Sequence, residues 1–213
     1  MDKNIGRTGN LIVLSGPSGA GKSTLVNAVR SRLPDLEFSI SCTTRQPRSG
    51  EINGREYYFL TPEEFELRSQ HGEFIEDARV FANRYGTLKS EVLTRVRRGA
   101  DVILDIDVQG AAKIRAAAET DSELKRAAVF VLIVPPSLEI LEKRLRRRAT
   151  DSDEQLALRI SAAEKELANF RLYDYVLVND DLDTAAGELE GLFKSFRLRS
   201  GLIPEGQVPW RSR

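Results

Sequence analysis

Leu11-Ile12-Val13-Leu14 is a continuous apolar run of strand length, broken by Ser15-Gly16-Pro17-Ser18-Gly19-Ala20-Gly21. Leu25, Val26, Val29 and Leu33 then recur at helical spacing until Pro34, so the pattern predicts strand, loop and helix. Comparable runs at Asp101 to Ile106, Ala128 to Val134 and Tyr175 to Val178 alternate with helix-period segments. Near-continuous apolar strands separated by helices fit a parallel sheet covered on both faces, and hence a single α/β core.

Two stretches interrupt this alternation. Ser39 to Tyr58 is polar and rich in Arg, Thr, Gly and Tyr, and Thr61-Pro62-Glu63-Glu64 then opens a helix with a capping box and a proline in its first turn. Roughly Ser39 to Gly99 reads as an insertion. A later helix opens at Ser137 after Pro135-Pro136 and carries Arg144, Arg146, Arg147 and Arg148. A break near Ala149 to Asp151 separates it from a second capping box at Ser152-Asp153-Glu154-Gln155. Helix, bend and helix suit a lid over a site, and equally a plain surface hairpin. Gly201 to Arg213, with Pro204, Gly206 and Pro209, reads as a loose tail on which Trp210 packs at the surface.

Composition narrows the function classes. The 213 residues suffice for one domain with sizeable excursions. Lys+Arg and Asp+Glu number 32 each, and zero net charge argues against a general nucleic-acid binder. One cysteine excludes an intramolecular disulfide, and one histidine beside it leaves too few ligands for a Cys/His zinc centre. With a polar Met1 to Asn10 and no apolar run approaching the roughly 18 residues of a membrane span, the expectation is a soluble, cytoplasmic chain without a membrane partner. No pattern specifies an oligomeric state.

Gly16-Pro17-Ser18-Gly19-Ala20-Gly21-Lys22-Ser23 matches G-x-x-x-x-G-K-[ST] without a mismatch, between a predicted strand and a predicted helix. Glycines allow successive backbone N–H groups to turn inward around phosphate oxygens, and the helix N-terminus adds its dipole. Lys22 reaches the terminal phosphates, and the Ser23 hydroxyl is placed for magnesium. The expected ligand is a nucleoside triphosphate, held by Gly16 to Ser23 together with Thr24. The loop alone does not say what receives the phosphate.

Beyond the loop, the chain resembles the guanylate kinases from about Asn10 to Phe193. The resemblance rests on Phe38 to Glu51 (Phe-Ser-Ile-Ser-Cys-Thr-Thr-Arg-Gln-Pro-Arg-Ser-Gly-Glu), Tyr85-Gly86-Thr87, Asp105-Ile106-Asp107-Val108-Gln109-Gly110, Arg144 to Asp151 and Val178-Asn179-Asp180-Asp181. It implies phosphoryl transfer from ATP to GMP or dGMP with Mg2+, and a P-loop nucleoside monophosphate kinase fold. The implied catalytic domain spans 9–193, with core pieces at about 9–38, 100–136 and 170–193. A GMP-binding insertion covers about 39–99, a helical lid about 137–169, and a tail 194–213.

On residues alone, Arg45 and Arg48 around Pro47 form a basic loop that could simply be solvated. The resemblance sets Arg45, Arg48 and Tyr57 at acceptor-phosphate positions, with Tyr85 in the GMP-binding set and Glu51 either touching ligand or holding an arginine. Guanine presents N1–H and a 2-amino group as adjacent donors and O6 as an acceptor, so its reader needs a carboxylate beside hydroxyls. Glu76, Ser41 and Thr87 stand at the base-reading positions; by itself, Glu76 would read as an exposed strand residue.

Asp105 and Asp107 end a strand at the sheet edge where α/β folds place ligands. One suits magnesium through water and the other the acceptor nucleoside, with Asp105 and Ser23 as the candidate metal pair; capping of the next helix is the plain alternative. Arg144, Arg148 and Arg159 match lid arginines whose implied task is to neutralise the transferring phosphoryl group. With Lys22 and Arg45 they make the candidate catalytic set. Asn179 matches a position near the donor adenine, although an amide ending a strand is as ordinary.

Ala149 and Arg84 stand where many family members carry glycine and tyrosine, and Ala82 replaces a common glycine; altered flexibility is the expected effect. Cys42 is expected to be a small buried thiol and His71 a surface residue at a helix end. Asp107-Val108-Gln109-Gly110 also fits the D-x-x-G of regulatory GTPases, but no N-K-x-D follows. A noncatalytic scaffold would not need the intact loop, and a kinase for another acceptor would give the Ser41, Glu76 and Thr87 trio no purpose.

Overall fold

A computed structural model describes residues 6–80, 82–147 and 152–204; Arg148, Ala149 and Trp210 lie outside the described residues. The chain opens with β1 (Leu11–Ser15), α1 (Lys22–Arg32) and β2 (Glu37–Phe38). Next come β3 (Cys42–Thr43), β4 (Tyr58–Phe59), α2 (Pro62–Gln70), β5 (Phe74–Val80), β6 (Asn83–Leu88) and α3 (Lys89–Arg97). β7 (Val102–Asp105), α4 (Val108–Thr120), α5 (Ser122–Ala127) and β8 (Ala128–Val134) follow. α6 (Leu138–Arg146), α7 (Asp153–Ala168), β9 (Tyr175–Val178) and α8 (Leu182–Phe196) complete the fold.

One sheet runs in the order β2-β7-β1-β8-β9, with every pairing parallel. Strand residues alternate between faces, so Ile12 and Leu14 pack with Leu25, Val26 and Val29 of α1 and Leu189 and Phe193 of α8. Leu11 and Val13 face the other layer, where Val92 and Val96 of α3 and Ile114 of α4 cover them. Each such fully buried side chain contributes about 1.5–3 kcal/mol. α3 falls within the 39–99 stretch of the sequence, yet its apolar face lies in this central layer.

A second sheet, ordered β4-β3-β6-β5, is built from the 39–99 stretch. The Phe65 and Phe74 rings stack at 4.4 Å, joining α2 to the β5–β6 hairpin. Arg84 strengthens that joint: its guanidinium lies 4.5 Å from the Phe65 ring centroid and donates to Glu66 (2.5 Å), Asp77 (2.9 Å) and the Ser69 hydroxyl (3.1 Å). α6 and α7 close their own small core around Leu141, Leu145, Leu156 and Ala163. Both capping boxes form, at Thr61 with Glu64 and at Ser152 with Gln155.

Cys42 is buried, and burial pushes its thiol up to about 11; His71 is exposed. The stretch from Gly201, which reads as loose in the sequence, is anchored at its start: Leu202 is buried and its carbonyl accepts from the Thr8 N–H (2.9 Å). Just before β7, the buried Asp101 carboxylate receives Arg7 (2.9 and 3.0 Å), the Asn10 backbone and side chain (3.0 and 2.8 Å) and Arg197 (2.7 Å), fastening the segment leading into β1 and the end of α8 to the start of β7.

Candidate active site

The phosphate loop leaves the C-terminal end of β1 and enters α1 at Lys22, where unpaired N–H groups and the helix dipole favour an anion. Gly21 caps the helix in the left-handed region, φ 84°. A Cβ at that position would sit 2.4 Å from the Asn179 amide nitrogen, so glycine is required twice over. Asn179, buried just after β9, donates to the Ala20 carbonyl (2.8 Å). Arg144 of α6 donates to the carbonyls of Asn179 (2.8 Å), Ala20 (3.4 Å) and Asp180 (3.5 Å). Loop, strand end and α6 therefore meet at Ala20, beside a hollow of about 290 Å³ that Gly19, Thr24 and Leu182 also line.

Parallel register sets Leu14 opposite Asp105, and the last carboxylate of β7 thereby reaches Lys22 and forms an ion pair with it. Ser23 and Thr24 lie exposed on the first turn of α1. Asp107 caps α4, accepting from the Gly110 N–H (2.7 Å). A Cβ on Gly110 would lie 3.4 Å from a Glu76 carboxylate oxygen. The short β7–α4 turn thus runs from the partner of Lys22 to the neighbourhood of the Glu76 carboxylate.

The surroundings of Glu76 follow from strand pairing. β5 and β6 run antiparallel with Glu76 opposite Thr87, and Cys42 opposite Gly86 brings the preceding Ser41 alongside. Thr87 donates to Glu76 (2.8 Å), and the Ser41 and Thr87 hydroxyl oxygens are 3.4 Å apart. Glu76 is only 8% exposed, against the reading of its neighbourhood as an open strand. Burial raises its pKa above the usual carboxylate range; the Thr87 hydrogen bond opposes this, while the charge of Asp107 adds to it.

In the loop after β3, Arg45 donates to both Glu51 oxygens (2.9 and 3.0 Å) and to the Gln46 carbonyl (2.7 Å). Its guanidinium lies 5.6 Å from the Tyr57 ring centroid, and Tyr57 meets Tyr85 edge-on at 6.0 Å. Hydrogen bonds from Arg45 and then from the Arg48 backbone N–H hold Glu51 below its ordinary pKa. Glu51 is therefore the group that orients Arg45, while the Arg48 side chain is exposed. Arg159 is exposed on α7, and Arg148 lies outside the described residues. Gly110 was not singled out by sequence reasoning; its signal was the D-x-x-G spacing at a helix start.

A phosphate loop at the end of a central parallel strand, joined through the β7–α4 turn to a buried carboxylate that carries a chain of two hydroxyls, defines a P-loop phosphotransferase with a separate acceptor site. The profile described as guanylate kinase matches residues 8–196. Similar relatives include guanylate kinases from Carboxydothermus hydrogenoformans, 47% identical over 90% of each chain, and Idiomarina loihiensis, 46% identical over 96% of this chain and 93% of that one. The crystal structure of guanylate kinase from Anaplasma phagocytophilum superposes with a TM-score of 0.69 at 33% identity, over 92% of this chain and 90% of that one. The chain belongs to the guanylate kinase family.

Proposed function

We propose that the chain transfers the terminal phosphoryl group of ATP to GMP, giving ADP and GDP. The observation that carries this reading is the hydrogen-bonded run of Ser41, Thr87 and buried Glu76 across from an intact phosphate loop. The carboxylate accepts guanine N1–H and the 2-amino group, and a hydroxyl donates to O6. Adenine would turn its N1 lone pair toward the carboxylate and leave buried acceptors unpaired, a mismatch that discriminates strongly. dGMP belongs to the same substrate class, because base and phosphate carry the recognition.

On the donor side, Lys22 exchanges Asp105 for the terminal phosphates, and the loop amides of residues 16–23 hold the rest. Arg144 and Asn179 border the hollow suited to adenosine. On the acceptor side, Glu51 presents Arg45 to the GMP phosphate, with Arg48, Tyr57 and Tyr85 around it. Asp107, fixed by its cap to α4, lies toward the acceptor nucleoside. Closure of the lid at 137–169 over the insertion at 39–99 brings Arg144, Arg148 and Arg159 to the charge that spreads in the transition state. A phosphate oxygen is already an anionic nucleophile, so transfer is in-line and needs no histidine base or covalent intermediate.

A hydroxyl and a carboxylate are hard oxygen donors that suit magnesium. Ser23 and, through water, Asp105 would hold it, where it would neutralise phosphate charge. No helix among the described residues is long and apolar enough to cross a membrane, in keeping with a cytoplasmic enzyme. The test is ATP with each nucleoside monophosphate, following ADP release. GMP and dGMP are expected to react, with AMP, CMP and UMP slower by roughly 10³-fold or more; equal turnover of AMP overturns the assignment.

A further inference from the structure

The two edges of the central sheet differ. β2 is two residues long, and its Glu37 is paired with Arg98 (2.6 Å) and Arg95 (3.6 Å), a charged edge of the kind that resists further pairing. β9, at the other edge, reads Tyr-Val-Leu-Val, with no charge, proline or bulge, and its outer side pairs with no described strand. Val176 and Val178 are 46% and 48% exposed, and most of the large apolar side chains left exposed among the described residues lie between Phe170 and Leu198. The Asn179 N–H donates to the Val134 carbonyl (2.8 Å) in register with the β8–β9 ladder, so strand alternation turns the N–H and C=O groups of Val176 and Val178 outward.

The flanking charges indicate what covers this edge. Arg171 precedes β9; its guanidinium lies 5.4 Å from the Phe170 ring centroid and forms no ion pair among the described residues. Asp180 and Asp181 follow the strand, and Asp181 caps α8, accepting from the Thr184 N–H (2.9 Å) and hydroxyl (2.8 Å). Antiparallel pairing of this segment with itself sets its basic end against the acidic end of a second copy, twice by symmetry. Parallel pairing would set like against like.

We propose that the chain forms a two-fold dimer in which β9 pairs with β9 of a second copy, joining the two parallel sheets edge to edge. The register is centred on Val176. Val176 then exchanges both backbone hydrogen bonds with Val176 of the second copy, and Arg171 faces Asp181. Centring on Leu177 would instead oppose Asp174 and Asp180, two like charges.

Sedimentation velocity on the full chain tests this. The wild type is expected to be dimeric at roughly 100 µM, a concentration that saturates an interface of micromolar affinity. Val176→Lys, which puts a charge on an already exposed edge, should be monomeric with unchanged melting temperature and turnover. Arg171→Asp should raise the dissociation constant at least about tenfold, and adding Asp181→Arg should recover most of that loss. A monomeric wild type, a Val176→Lys variant as dimeric as the wild type, or a double variant no tighter than Arg171→Asp alone overturns the proposal.

Discussion

Replacing Glu76 by glutamine keeps the side chain's shape and exchanges one acceptor oxygen for a donating amide. Guanine requires two acceptors here, for N1–H and the 2-amino group. One charge-assisted hydrogen bond is lost, about 1.5–3 kcal/mol, and one buried donor is set against another, about 1–3 kcal/mol more. A combined loss of about 3–4 kcal/mol corresponds to a fall of roughly 10²–10³ in kcat/KM for GMP. Folding should not suffer, because burial already disfavours the charged form of Glu76. The assay is steady-state kinetics with each nucleotide varied at saturation of the other, beside a thermal melt. The ATP KM is expected to move by less than about twofold, with a melting temperature equal to or above that of the wild type. Matching losses for ATP and GMP, or an unaltered GMP parameter, would refute base readout by this carboxylate.

Further outcomes follow from the same geometry. Because the Glu76 pKa is raised, the acceptor form is lost as pH falls through a value above the ordinary glutamate pKa of about 4.3; GMP affinity should weaken there, and the profile should flatten in Glu76→Gln. Lys22→Ala should lower turnover by roughly 10²–10³ while calorimetry finds GMP binding nearly unchanged; a near-normal rate would remove Lys22 from the chemistry. Gly21→Ala forces a side chain into a left-handed residue and against Asn179, so the ATP KM should rise about tenfold or more with little effect on GMP binding. Asp101→Asn should cost about 3 kcal/mol in denaturant unfolding, because Arg7 and Arg197 lose a buried partner. Burial alone would raise the Asp101 pKa, but Arg7 and Asn10 hold it below the usual value. Its stabilisation is therefore present above the unfolded pKa and lost as pH falls through the depressed native one, and the variant should show a flatter stability profile in acid.

What the sequence made legible was short-range. The phosphate loop, the strand run at 128–134 and the capping boxes at Thr61 and Ser152 are patterns of a few residues whose physics is local, and each formed as read. The site's connections were not local. Lys22 meets Asp105 only because of the β1–β7 register, and Glu76 is buried only because β5, β6 and α4 close around it. Two-residue strands such as β3 and β4 carry too little periodicity to be seen. The role of Arg84 depends on a ring and two carboxylates brought from α2 and β5. Resemblance supplied what periodicity lacked for Ser41, Glu76 and Thr87, and the structure adds that the three are hydrogen-bonded to one another.

The most direct test of two facing nucleotide sites is a crystal structure of the chain with GMP and a non-hydrolysable ATP analogue bound together. The expected result is the guanine edge on Glu76, flanked by Ser41 and Thr87, and the triphosphate wrapped by residues 16–23 with its end toward the GMP phosphate. Guanine bound elsewhere, or both nucleotides competing for the phosphate loop, would contradict the account.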